Sequence, residues 1–157
     1  MSETDVFLRL FAATLAGGVL GLNRDLHGKP AGVRTFALVS LAAASITISS
    51  SIGAPDPTSL SRVVQGLVTG VGFIGAGIIL HEPGKNRVHG LTTAAATWFS
   101  VAIGLMCALG LWSILLTAGG LCFLVLMFGG DLELWTRQWF ASKVTKSVDA
   151  EAPDMEP

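Results

Sequence analysis

Residues 63–80 read VVQGLVTGVGFIGAGIIL, an apolar stretch that decides the fold because of its glycines. The five glycines are Gly66, Gly70, Gly72, Gly75 and Gly77. Helices in lipid gain little from hiding apolar surface, so they associate through close backbone approach and dispersion contact, which small residues allow. The stretch therefore predicts a membrane span that packs closely against other helices.

The composition of the whole chain indicates an integral membrane protein, with the lipid bilayer as its surroundings. Hydrophobic residues make up 51% of the sequence and charged residues 13%, whereas soluble domains carry about 25% charged residues. A net charge of −1 gives no indication of a nucleic-acid partner. Cys107 and Cys122 lie inside apolar blocks, where buried small hydrophobes are a better interpretation than redox or metal groups. We predict no metal site and no cofactor.

Five apolar blocks approach the ~20 residues that a helix needs to cross a membrane. They are Val6–Leu22, Thr35–Ile52, Val63–Leu80, Leu91–Leu109 and Leu111–Phe128. A single helix over residues 91–128 would be about 57 Å long, far more than a bilayer, so we expect a tight hairpin between Cys107 and Trp112. The sequence predicts an all-α, polytopic membrane helix bundle of five transmembrane helices.

The distribution of basic residues predicts the orientation of the bundle. Lys and Arg occur mainly in the loop 23–34, the loop 81–90 and the segment after residue 128, which are alternate connections. Because cytoplasmic loops carry the excess of Lys and Arg, we predict that the N-terminus is outside and the C-terminus is cytoplasmic. We further divide the chain into a transmembrane domain, 1–128, and a segment 129–157. That segment is predicted to be an amphipathic helix at the headgroups followed by a disordered cytoplasmic tail.

Polar residues at the ends of the spans are the candidate functional groups, and each has a simpler alternative role. The loop 23–34 can be an ordinary positive-inside connection or an ordered site in which Asp25 pairs with an arginine; Arg62 and Gln65 can snorkel or join a buried network. Thr92 and Thr93 can cap a helix or face a polar cavity. The candidates are Arg24, Asp25, Lys29, Arg34, Asp56, Arg62, Gln65, Thr92 and Thr93.

Small residues at helical spacing are the candidate packing positions. In the first span they include Gly17 and Gly21, and in the third span the five glycines quoted above. Generic bundle packing explains most such positions. The density of glycine in the third span leaves a glycine-lined site or pathway as the alternative.

No catalytic set is visible in the sequence. The spans contain no carboxylate pair, no nucleophile beside a base and no metal-ligand spacing. We therefore expect that the protein is not an enzyme.

Several separated motifs resemble the MgtC/SapB family in order and spacing. They are GKPAGVRT at residues 28–35, Asp56-Pro57, RVVQG at 62–66, GFIGAGIIL at 72–80 and GLTTAAATW at 90–98. The resemblance covers roughly residues 7–128. It implies a multi-pass protein of the bacterial inner membrane with about five spans. The chain resembles the short SapB/YhiD-type branch of the family. Longer members differ in carrying a C-terminal ACT-like domain.

Two hypotheses about function follow from the sequence and the resemblance. In the first, the protein is a non-enzymatic regulator of another membrane system, in ion homeostasis or stress adaptation, and it acts as a homo-oligomer or bound to another membrane protein. The resemblance implies this role, because family members are regarded as modulators of other membrane systems. In the second, the protein is a transporter or channel for Mg²⁺ or another small cation or solute. Polar groups converging in a wet cavity favour transport, and a dry bundle with a glycine face open to lipid favours regulation.

Overall fold

The fold is built from five helices, each long and apolar enough to cross a membrane. The computed structural model describes residues 1–29, 31–51, 57–81 and 88–151. The helices are α1 Glu3–Leu26, α2 Val33–Ser50, α3 Pro57–Ile78, α4 Leu91–Leu109 and α5 Trp112–Glu151. The prediction of an all-α bundle with five spans is confirmed. The orientation of the termini stays a prediction.

The first helix is longer than the apolar block that predicted it, because polar residues at both ends continue the helix. At the start, the hydroxyl of Ser2 accepts a hydrogen bond from the backbone N–H of Asp5 at 3.2 Å, which caps the helix. At the other end, Arg24 belongs to the last turn. The 24 residues of α1 make a helix about 36 Å long, enough to cross a hydrocarbon core of about 30 Å.

The predicted break between the fourth and fifth spans is confirmed at Gly110. This glycine ends α4 with φ of 70°, a left-handed conformation that other residues rarely adopt. Its N–H donates to the carbonyl of Cys107 at 3.1 Å, and the N–H of Leu111 donates to the carbonyl of Met106 at 2.9 Å. These bonds satisfy carbonyl groups in the last turn of α4, so the helix stops there.

A short antiparallel ladder joins α3 to α4, where the sequence indicated only a polar loop. Strand β1 is Leu80–His81 and strand β2 is Val88–His89, with Leu80 opposite His89. Gly90 follows with φ of 91° and begins α4. A side chain at Gly90 would lie 2.3 Å from the carbonyl oxygen of Ile78, so glycine is required where the ladder meets the end of α3.

The chain forms two compact units, Met1–Gly120 and Leu121–Pro157. The first contains α1 to α4 and the first turns of α5, and the second contains the remainder of α5. Helix α5 continues through residues 147–151, where the sequence predicted disorder. The proposed boundary between residues 128 and 129 stays a prediction.

Helix α4 is central in the first unit, and α3 is peripheral. Of the spanning part of α4, 56% of the residues are buried, compared with 11% for α3. Helices α1, α2 and α4 pack on one another, and α3 joins them through a small cluster of Ala43, Val71 and Val101. The centre of the unit is therefore the contact among α1, α2 and α4.

Candidate functional site

A row of buried polar side chains lies where α1, α2 and α4 meet. On α4 the row consists of Thr93, Thr97 and Ser100, whose spacing places them on one face of the helix. Each is at most 1% exposed. Arg24 of α1 and Ser40 of α2 are buried against the same contact, at 5% and 0% exposed. We call these five residues the polar row.

Arg24 is the buried ionisable member of the polar row. Its Nη2 atom donates a hydrogen bond to the hydroxyl oxygen of Thr93 at 2.5 Å. Its Nε atom has no hydrogen-bond partner in the part of the chain that the structure describes. A buried guanidinium is costly unless its donors are satisfied, and ionisable groups within membrane spans commonly mark functional positions. Arg24 is therefore the first candidate for a functional residue.

The remaining members of the row are used within the helix contacts. The hydroxyl of Thr97 donates to the carbonyl of Thr93 at 2.9 Å, and the hydroxyl of Ser100 donates to the carbonyl of Phe36 on α2 at 2.9 Å. Ser40 has no partner for its hydroxyl among the described residues. Hydrogen bonds between spans of this kind hold neighbouring helices in register. The row is therefore buried in the contact among the three helices, and Ser100 joins α4 to α2.

Three glycines allow the helices to approach closely along the polar row. A Cβ atom would lie 2.6 Å from the carbonyl oxygen of Phe36 if placed on Gly17, 2.7 Å from the Cα atom of Val33 if placed on Gly21, and 2.2 Å from the carbonyl oxygen of Ser40 if placed on Gly104. Gly17 and Gly21 are predicted packing positions, and both lie directly against α2. Gly104 belongs to the row of small residues at helical spacing in the fourth span, four residues after Ser100.

The glycines of α3 are arranged differently from the prediction. A Cβ atom on Gly66, Gly70, Gly72 or Gly77 would meet nothing within 4 Å, and one on Gly75 would make an ordinary contact with Ala94 at 3.6 Å. Close packing within the described part of the chain therefore does not explain the glycines of this helix. Gly66 and Gly70 face α2 across an open groove, so that neither is in contact with it, and Gly75 lies beside Ala94 of α4.

The turn between α1 and α2 is ordered by backbone geometry. Gly28 adopts φ of 60°, its N–H donates to the carbonyl of Asp25, and the N–H of Lys29 donates to the carbonyl of Arg24. This pair of bonds is the Schellman arrangement that ends a helix at a glycine. Lys29 is exposed on this turn.

Asp25 caps the following helix instead of pairing with Arg24 or Arg34. Its Oδ2 atom accepts a hydrogen bond from the N–H of Val33 at 2.9 Å. The carboxylate occupies the space where a side chain at position 32 would lie, so Gly32 is needed beside it. Among the described residues, the ion pair of the chain is Arg9 with Asp5, at 3.0 Å.

Arg9 has a structural role that the sequence did not indicate. Its Nη1 atom donates to the carbonyl of Ala108 at 2.6 Å, near the end of α4. It is held in that direction by Asp5, one turn earlier on α1. Its partner is 99 residues away in sequence, so no local pattern contains this contact.

The other predicted polar residues do not form a site together. Arg62, Gln65 and Thr92 are exposed, whereas Thr93 is buried against Arg24. The amide of Gln65 contacts the hydroxyl of Ser61 on the same helix. Asp56 lies outside the described residues. Over residues 1–29, 31–51, 57–81 and 88–151, no group of three or more His, Cys, Asp or Glu side chains is placed to hold a metal ion.

A groove between α2 and α3 is a mainly apolar feature of the surface. It has a volume of about 570 Å³ and includes Leu38 and Ile46 of α2 and Gly66, Gly70 and Ile74 of α3. A second hollow, of about 590 Å³, lies at the start of α2. Its lining includes Asp25 and Arg34, and it shares Leu38, Val39 and Ile74 with the apolar groove. The two hollows are therefore adjacent, and we refer to the second as the polar end of the groove.

The chain is similar to known proteins of several bacteria. The pattern of the MgtC family matches residues 10–135. The protein SrpB of Synechococcus elongatus is 39% identical over 95% of this chain and 87% of its own length. MgtC of Salmonella typhimurium is 46% identical over 66% of this chain, and YhiD of Escherichia coli K12, whose name describes it provisionally as a magnesium transporter, is 38% identical over 78%.

The alignments cover different shares of the relatives. They span 43% of the Salmonella protein and 59% of the E. coli protein, so the chain corresponds to about half of each. No solved structure matches the chain. The family pattern covers most of α1, all of α2, α3 and α4, and the first part of α5. Five helices are long and apolar enough to span a membrane. This multi-pass membrane protein therefore belongs to the MgtC family.

Proposed function

We propose that this protein is a non-enzymatic regulator of another membrane protein in the bacterial inner membrane, with a role in ion homeostasis or stress adaptation. The observation that supports the proposal is the burial of the polar row within the contact among α1, α2 and α4. Two of its hydrogen bonds join different helices, Arg24 to Thr93 and Ser100 to the carbonyl of Phe36. The other polar candidates, Arg62, Gln65 and Thr92, are exposed and do not join the row. A cation pathway needs polar groups that line a wet passage.

The outer face of α3 supports a regulatory role. Thr69, Gly72, Phe73 and Ala76 share this face at helical spacing, all four are exposed, and Phe73 is 85% exposed. Glycine within a helix costs roughly 0.5–1 kcal/mol relative to alanine, and no contact within the described chain explains Gly72. A second membrane protein that packs closely on this face accounts for the glycine.

A transport role is the alternative, and it rests on the provisional name of the E. coli relative. A flux measurement on the pure protein separates the two functions. We expect liposomes that contain the protein and a trapped Mg²⁺-sensitive dye to take up Mg²⁺ no faster than protein-free liposomes under an inward Mg²⁺ gradient. Protease accessibility of the protein in the same liposomes checks that it is correctly inserted in the membrane. A saturable uptake that depends on the protein would contradict the regulator and establish the transporter.

Substitution on the outer face of α3 tests the regulatory contact. We expect Ala76→Leu to fail to restore magnesium-limited growth or membrane potential to a deletion strain, because the added side chain holds a partner helix away. Ala95→Leu is the matched control, since Ala95 is exposed on α4 and away from this face. It should restore the strain as the wild type does. If both variants restore growth and membrane potential equally, at equal protein levels in the membrane, the outer face of α3 does not bind a regulated partner.

A further inference from the structure

The groove between α2 and α3 has the depth of one leaflet of a bilayer. On α3 its lining extends from Val63 to Ile74, a rise of about 17 Å at 1.5 Å per residue. Half of a hydrocarbon core of about 30 Å is about 15 Å. The volume of about 570 Å³ lies within the range of ~300–1,000 Å³ that holds small ligands. The groove is therefore long enough for an acyl chain that enters from one leaflet.

Glycines keep the apolar part of the groove open. Gly66 and Gly70 line it, and a Cβ atom on either would meet nothing within 4 Å. The facing side of α2 contributes Leu38, Ala42 and Ile46, which are apolar. Each wall combines small and branched aliphatic residues, and together they border an elongated apolar space, the shape that a hydrocarbon chain fills.

The polar end of the groove carries both signs of charge. Arg34 is exposed there and has no ion-pair partner among the described residues. The Oδ2 atom of Asp25 is bound to the N–H of Val33, whereas its Oδ1 atom makes no hydrogen bond within the part of the chain that the structure describes. The N-terminus of α2 also faces this end, and a helix N-terminus favours anions. An anionic group and a hydrogen-bonding cation are therefore both accommodated.

We propose that this groove binds one molecule of phosphatidylethanolamine. One acyl chain lies between α2 and α3, the phosphate contacts Arg34 at the start of α2, and the primary ammonium donates to the Oδ1 atom of Asp25. A phosphatidylglycerol headgroup has the same phosphate but would place a neutral glycerol at Asp25, whose hydroxyls make weaker hydrogen bonds to a carboxylate than an ammonium does. A phosphatidylcholine headgroup has a quaternary ammonium, which cannot donate a hydrogen bond to the carboxylate. The proposal does not depend on the regulatory role.

Native mass spectrometry of the full-length protein in mild detergent tests the assignment. The protein is titrated with phosphatidylethanolamine, phosphatidylglycerol and phosphatidylcholine that have identical acyl chains. We expect one phosphatidylethanolamine per chain, bound about tenfold more tightly than either other lipid, as one charge-assisted hydrogen bond allows. Equal binding of the three lipids would overturn the headgroup assignment.

Variants at the two ends of the groove locate the lipid. Gly70→Leu fills the apolar part and should lose the bound lipid, whereas Gly119→Leu, at another open glycine in an apolar helix, should keep it. Asp25→Asn retains an oxygen that caps α2, because Asn and Asp are comparable caps, but it removes the charge. We expect its preference for phosphatidylethanolamine over phosphatidylcholine to fall to about onefold.

The fold of each variant is checked by its helical circular dichroism and its elution volume. Retention of phosphatidylethanolamine by folded Gly70→Leu at wild-type affinity would contradict the proposal. A lipid-free dimer that Gly70→Leu separates would also contradict it, because a second copy of the chain would then occupy the groove. The liposome flux measurement has no bearing on these outcomes, so this proposal and the regulatory one can fail separately.

Discussion

Gly104→Ala is expected to destabilise the first unit by about 3 kcal/mol or more, at the upper end of the cost of overpacking a core. The added Cβ atom would lie 2.2 Å from the carbonyl oxygen of Ser40 and 2.8 Å from the Cβ atom of Ala43. The first of these is a backbone atom, so it cannot rotate away, and α2 and α4 must separate. Separation also weakens the hydrogen bond from Ser100 to the carbonyl of Phe36. The midpoint of thermal unfolding in mild detergent measures the loss.

Gly66→Ala is the matched control for this prediction. It introduces the same methyl group into an apolar helix, but at a position where a Cβ atom meets nothing within 4 Å. We expect no loss, and a gain of roughly 0.5–1 kcal/mol because alanine is the better helix former. If both variants unfold at the same temperature, α2 and α4 do not lie as close together at Gly104 as we describe.

The contrast between these glycines shows which part of the packing the sequence could predict. Glycine density marks a helix that is able to pack closely, and it pointed most strongly to α3. Whether a helix does pack closely depends on which face its neighbours reach, and that is a property of the whole bundle. Gly17 and Gly21 lie in close contact with α2, whereas Gly66 and Gly70 of the most glycine-rich span border an open groove beside α2.

The spans and the break at Gly110 were predictable because they follow from local chemistry. An apolar block of sufficient length must be helical in lipid, and a glycine between two such blocks permits the left-handed residue that ends a helix. The contacts of Arg9 and Arg24 could not be predicted in this way. Their partners, Ala108 and Thr93, are 99 and 69 residues away in sequence. The positive-inside pattern explains why an arginine lies at the end of a span, but not that it is buried.

Thr93→Val is expected to destabilise the protein by about 2 kcal/mol, since it removes the partner of a buried charged donor. Valine has nearly the shape of threonine, so the packing of α4 is retained. The Nη2 atom of Arg24 would then lose the acceptor that it has at 2.5 Å, in a guanidinium whose Nε is already unpaired among the described residues. Thr92→Val, at the exposed neighbouring position, should change the unfolding midpoint little.

A double-mutant cycle separates the contact from the charge. Replacement of a buried charge by an apolar side chain of similar length is often neutral, so we expect Arg24→Met alone to keep the unfolding free energy within about 1 kcal/mol of wild type. On that background Thr93→Val should cost almost nothing, which gives a coupling energy of about 2 kcal/mol. If Thr93→Val lowers the unfolding free energy equally in both backgrounds, Arg24 and Thr93 do not stabilise the protein through their hydrogen bond. Because Arg24 would then be unnecessary for folding, stable Arg24→Met protein that fails to complement a deletion strain would assign the buried charge to function.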